Sequence, residues 1–277
     1  MPEAMTDEGD PEAIRRRVDD LQRQIDSHPA RIEHHAIEAL NESLNHVWRP
    51  NLAELEQLLV APSQDQGLAI ELIQNVKAPV VRDRFIASVL RATHNYVAST
   101  QSLVEHVRTV MRNRSGDTAA AFTIRRRDLA KDSSVAFFKD LRNFTLHRSL
   151  PPLTWEFRVA DLHRPDAFEF DFRVPVSALR LWSGWSASSR SLLAEREGGL
   201  SLEPLLRRHG AIVLDLNSWL IDRLLADGEA GRAVVNELIT RQEMLITGLD
   251  RGEVLRRIRD RSDRSDYPQG EGMHRDS

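Results

Sequence analysis

The chain contains no cysteine, which excludes disulfides, thiolate zinc sites, iron–sulfur clusters and a cysteine nucleophile. Lysine is scarce, three residues against 35 arginines, a bias of composition that carries no function by itself. No run approaches the roughly 18 consecutive apolar residues of a membrane span. The opening stretch MPEAMTDEGDPEAIRRR has acidic residues and no apolar segment of the kind a secretory leader needs, so a cytoplasmic protein with no membrane partner is expected. Glycine patterns that cradle nucleotide phosphates are missing. The segment GWSAS at 184–188 lacks the second glycine of a nucleophile elbow and follows no predicted strand.

What is present is enough to build a large core. The 277 residues are 41% hydrophobic and 29% charged, the balance of a soluble globular chain of one large or two smaller domains. A formal charge of −4 argues against a protein that coats nucleic acid through overall basicity, and no DNA partner is expected. A local basic pocket is still allowed, because clustering matters more than the total.

Residues 1–9 read as a loose tail, and Asp10 with Pro11 signals a helix start. Ile14, Val18, Leu21 and Ile25 form a narrow apolar seam that stops at His28-Pro29, and a second helix carries Ile37, Leu40, Leu44 and Val47 to a stop at Arg49-Pro50. Residues 10–65 are thus expected as an N-terminal helical hairpin, packing on the core or pairing with another copy. A short helix over 52–59, a loop at APSQDQG, another short helix over 67–77 and a long one from Val80 to about Arg112 follow. Phe137, Phe138, Leu141 and Thr145 face inward on the next helix, which Asp132-Ser133 starts and Pro151-Pro152 ends. Two period-two runs around Trp155 and Phe170 predict a β-hairpin at about 153–174 with a turn at Arg164-Pro165-Asp166. Helices are then expected over 176–196, 202–226 and 229–248, and 251–277 reads as a charged, largely disordered tail that begins with a short helix. The fold class is mainly α: a helical bundle over 66–250 with an inserted β-hairpin.

The chemistry concentrates in KDLRNFTLHRSLPP, Lys139–Pro152. An arginine followed five positions later by a histidine occurs three times, at Arg23 and His28, Arg142 and His147, and Arg158 and His163. This composition makes the spacing expected by chance, so context decides. The first pair runs into a proline and the third from a strand into a turn. Only Arg142 and His147 lie within a strong amphipathic helix near its C-terminal end, with a polar amide, Asn143, directly after the arginine.

RNFTLH resembles the signature of the HEPN superfamily (higher eukaryotes and prokaryotes nucleotide-binding): arginine, a polar residue, a few further positions, then histidine near the end of a bundle helix. The resemblance covers Lys139–Pro152 and, loosely, the bundle from about 80 to 225. It implies a metal-independent endoribonuclease without cofactor, acting on RNA as a homodimer whose two motifs face one cleft, in a defence or toxin–antitoxin setting. It equally allows a non-catalytic scaffold or binding protein with the same bundle.

The residues themselves suit that chemistry. Metal-free RNA cleavage needs a group that takes the 2′-hydroxyl proton and a cation for the charge that builds on phosphate. Imidazoles titrate near pH 6.5, and a guanidinium stays charged and grips two phosphate oxygens. His147 is therefore the candidate proton-transfer group, Arg142 the phosphate stabiliser and Asn143, one turn from His147, the assistant. On an ideal helix Arg142 and His147 point about 140° apart. They converge only if the arginine wraps, the last turn distorts or a twin subunit completes the site. Weaker substrate-binding candidates are Lys139 and Arg148 beside the motif, and Glu105, His106 and Arg108 on the long helix. His34 and Glu38 share a helix face but no zinc spacing completes them, so no metal is expected. The five tryptophans are assigned to core or hairpin packing, and the Arg125–Arg127 run to a solvated face able to guide a backbone of phosphates.

Overall fold

The computed structural model describes residues 10–74, 80–159 and 168–265. The expected turn at 164–166, the partner His163 of the third arginine–histidine pair and both outermost tails lie outside the described residues. Within them the chain is mainly α-helical with a small antiparallel sheet, and the described residues form two compact units, one within 36–224 and a smaller one of 10–35 with 225–265. The unit boundaries fall inside helices, and the N-terminal segment shares its unit with the chain's C-terminal helices, a pairing of distant segments that local periodicity does not encode.

In the smaller unit α1 (Pro11–Ser27) starts where the Asp10 carboxylate accepts from the Glu12 N–H at 3.1 Å, and ends at the extended His28. α2 (Pro29–Glu42) begins here. α11 (Glu229–Thr247) packs along α1, with the Gln242 amide donating to Gln22 Oε1 at 2.8 Å. It closes on Gly248 at φ 65°, the left-handed cap that favours glycine. α12 (Arg251–Ser265) is the expected short charged helix; it buries Val254 and holds α11 through Arg251 to Glu237 and Arg261 to Glu243.

In the larger unit the expected stop at Arg49-Pro50 is absent. A π-helical turn, Ser43–Trp48, continues α2 into α3 (Arg49–Gln64). The Arg49 N–H reaches Leu44 O, five residues back, and Pro50 falls in the first turn of the next helix, where its missing donor costs nothing. α3 also runs through Pro62 and ends only at Asp65, so APSQDQG is mostly helix. α4 (Gln66–Gln74) and α5 (Val80–Met111) follow. Then comes α6 (Asp117–Leu129), a helix the apolar pattern left unassigned.

α7 (Ser133–His147) is capped by Asp132, whose carboxylate accepts from the Ser134 N–H at 2.8 Å, and it ends at His147. The hairpin forms as β1 (Thr154–Val159) and β2 (Phe168–Pro175), with Trp155 opposite Phe172 and Phe157 opposite Phe170. A third strand, β3 (Gly199–Ser201), adds to β2 at Val174 and Leu200. α3 packs against β2, with the Phe170 N–H donating to Ser63 Oγ at 2.9 Å, and Phe172 meets Phe85 of α5 at 5.7 Å between ring centroids. The single helix expected over 176–196 is two, α8 (Val176–Arg180) and α9 (Ala187–Ala194), separated by a turn. α10 (Leu202–Asp227) completes the unit. Its core centres on Trp48, Tyr96, Phe137, Phe144 and Leu141, all 2% exposed or less.

Candidate functional site

α7 is fixed from three sides, and this decides what its last turn can present. Phe137, Phe138, Leu141 and Phe144 are buried at helical spacing. Thr145, expected inward with them, is only half-buried. On the next face Asp140, 4% exposed, accepts from the Ser186 N–H at 2.8 Å and the Ser189 hydroxyl at 2.7 Å. A buried carboxylate is tolerable when charge-receiving hydrogen bonds satisfy it, and here those bonds clamp the start of α9 to α7. Between α8 and α9 the turn tucks Trp185 against Phe137 and Phe144, at 5.8 and 5.7 Å, both stacked, with its indole N–H donating to Leu179 O at 2.7 Å.

At the N-terminal end, burial alone would raise the Asp132 carboxyl. Hydrogen bonds from Ser134 and Arg208 outweigh it and hold the group below the usual carboxylate range. Beside it lies a buried polar pair. The Tyr96 hydroxyl and His209 Nδ1 are 2.5 Å apart, and the His209 ring stacks on Phe138 at 4.7 Å. Burial holds the phenol well above its ordinary range and pushes the His209 imidazole down to about 4. With both groups neutral they share one hydrogen bond, whose direction follows the imidazole tautomer.

Lys139 and His147 are exposed, Arg142 and Asn143 half-buried. Arg142 Nη1 donates to Asn143 Oδ1 at 3.0 Å, which ties the guanidinium to the residue one turn before His147 on the same helix face. His147 has no hydrogen-bond partner among the described residues. Arg148, at the helix end, donates to Leu181 O at 3.5 Å. Arg148 thus sits where the helix dipole is negative, a favourable placement.

The weaker candidates on α5 pair among themselves. Glu105 accepts from Arg108 and from Gln101, closing on its own helix face, and Glu105, His106 and Arg108 are all exposed. No hydrogen bond or ion pair joins them to the motif among the described residues. Arg125 is occupied, 4.4 Å from the Trp219 ring centroid and 3.5 Å from Asp215.

Sequence reasoning passed over Asp140 and the Trp182–Trp185 turn. Asp140 sits inside the motif stretch, and a lone acid on the apolar side of a helix is the signal that would have marked it as a buried clamp. Among the described residues no helix is long and apolar enough to cross a membrane, and no three histidine or carboxylate groups converge as metal ligands would. No known protein family, curated protein or solved structure matches this chain.

Proposed function

We propose that the end of α7 is a HEPN-like, metal-independent endoribonuclease site, completed by a second copy of the chain. His147 takes the 2′-hydroxyl proton, and the 2′-oxygen attacks phosphorus. The P–O5′ bond breaks, and the imidazolium of the twin copy's own motif returns a proton to the 5′-oxygen. The products are a 2′,3′-cyclic phosphate and a 5′-hydroxyl. Arg142 neutralises the phosphorane oxygens, and Asn143 holds the guanidinium on the face that carries the imidazole.

The observation that carries this reading is the Arg142–Asn143 hydrogen bond at 3.0 Å. On bare helix geometry the two motif side chains diverge, and a wrapped arginine is what convergence requires. The free and exposed His147 fits a group that must exchange protons with substrate and solvent. The test is purified protein on single-stranded RNA against its His147→Ala variant. Cleavage to cyclic-phosphate ends by the first and its loss in the second support the reading, and equal background rates overturn it.

A second reading, a non-catalytic binding protein, is favoured by a different observation. A cleft of about 450 Å³ lies between the end of α3, the charged face of the hairpin and the start of α10, walled by Glu156, Arg158, Glu169, Asp171 and Arg173 over an apolar floor that includes Leu59. It contains no motif residue. Under this reading the His147→Ala substitution is silent and the functional loss follows changes at the cleft.

A further inference from the structure

The turn between α8 and α9 does more than fasten α7. Trp182 is half-buried and keeps part of its ring in solvent, although tryptophan has the largest apolar surface to hide. Its ring meets Phe144 edge-on at 5.6 Å and Trp185 at 5.0 Å. Phe144 is the residue of α7 that lies within one turn of both His147 and Arg148 on the same side of the helix, so the indole stands at the end of α7 that carries the motif. Two features keep it there. Gly184 lies directly under the ring, where a Cβ would run into the indole. The Arg148 guanidinium ties the preceding carbonyl, Leu181 O, to the helix end. Beside it Leu181 is 71% exposed, so a partly exposed aromatic ring with an apolar neighbour stands at the end of α7, within one helical turn of His147 and next to Arg148.

An aromatic face beside clustered cations is the chemistry that receives an unpaired nucleobase while its phosphates are held electrostatically. A base inside a duplex is already stacked on both sides and cannot be received this way. We propose that Trp182 is a stacking platform for an unpaired base next to the scissile phosphate, and that it makes the site selective for single-stranded RNA. The inference rests on the nuclease reading above and adds a specificity-determining residue to it.

The test uses the His147→Ala chain, so that RNA survives, and fluorescence anisotropy with a labelled single-stranded RNA and with the same sequence as a blunt duplex. Trp182→Leu keeps apolar bulk and loses the π-face, whereas Trp182→Phe keeps a smaller face. The expectation is an affinity loss of about 5- to 100-fold for single strands with Leu, a small loss with Phe, and little change for the duplex with either. Thermal melting of each variant shows that the Phe144–Trp185 cluster is intact. Retained single-strand affinity in a folded Trp182→Leu chain overturns the platform and leaves the nuclease reading standing. So does a Trp182→Leu chain that changes oligomeric state while RNA affinity holds, since the ring then belongs to a protein interface. If the unsubstituted protein neither cleaves nor binds RNA, both fall together.

Discussion

His209 is 3% exposed, stacked on Phe138 and bonded through Nδ1 to the Tyr96 hydroxyl, whereas His147 stands exposed at the end of α7 without a hydrogen-bonding partner among the described residues. Both belong to one compact unit, and α7 touches both, through Phe138 at one end and through its last residue at the other. The buried imidazole is locked neutral by its surroundings, so it contributes shape and one hydrogen bond. The exposed one is free to meet a substrate. Residue type alone does not distinguish these roles; burial and partners do.

The largest expected effect separates the two histidines by function. On the proposed nuclease reading, replacing His147 with alanine lowers RNA cleavage by about 100- to 10,000-fold, the range for loss of a general acid–base group, and leaves the melting temperature unchanged. Arg142→Lys keeps the charge and loses the fork that Asn143 now holds, so cleavage drops while folding persists. Measuring both rates beside circular-dichroism melts checks the claim, and a destabilised His147→Ala chain would move His147 into the structural class.

The motif helix was legible because three independent signals coincide: the Asp132 cap, the Phe137–Phe138–Leu141 spacing and the prolines beyond its end. Arg49-Pro50 misled because a proline reads as a stop unless a wide turn precedes it, and nothing in SLNHVW announces a π-turn. α6 went unassigned because DTAAAFTIRRRDL has few large apolar residues to set a period. The split between α8 and α9 depends on Trp182, Gly184 and Trp185 folding back on Phe144, a tertiary demand that overrides helix propensity. For the site, residue types and order could be read, but the Arg142 wrap onto Asn143 and the Asp140 clamp could not, since both depend on side-chain direction.

The next effect belongs to His209 and appears on acidification. Its folded value, about 4, lies below the ordinary 6.5 of an imidazole, so below pH 6.5 the unfolded chain binds a proton that the folded chain refuses. Stability attributable to this residue is complete above pH 6.5 and is lost progressively down to about pH 4, a change of about 3 kcal/mol. A His209→Leu chain, melted across the same range, shows a flatter profile. A smaller cost attends Tyr96→Phe, which leaves the buried Nδ1 without its hydrogen-bond partner. About 1–3 kcal/mol is expected from urea unfolding at neutral pH, with cleavage by His147 unaffected.

The smallest effect lies at Asp132, the residue that serves both regions. It caps the helix whose far end holds His147, accepts from Arg208, and its charge draws the His209 value upward against burial. Asp132→Ala removes the cap at a cost of about 1 kcal/mol at pH 7. Its pH signature is distinct. The Asp132 carboxyl is held below its ordinary 3.8, so the stability it provides is present above that pH and lost as pH falls through its lower folded value. The unsubstituted protein therefore loses stability first between pH 6.5 and 4 through His209 and again below 3.8 through Asp132. In the variant the first loss persists, extended to slightly lower pH because His209 has lost a nearby anion, and the second is diminished. Subtracting the two denaturation profiles isolates these contributions, and a difference that does not vary with pH below 3.8 would mean that the Asp132 charge stabilises nothing beyond its role as a cap.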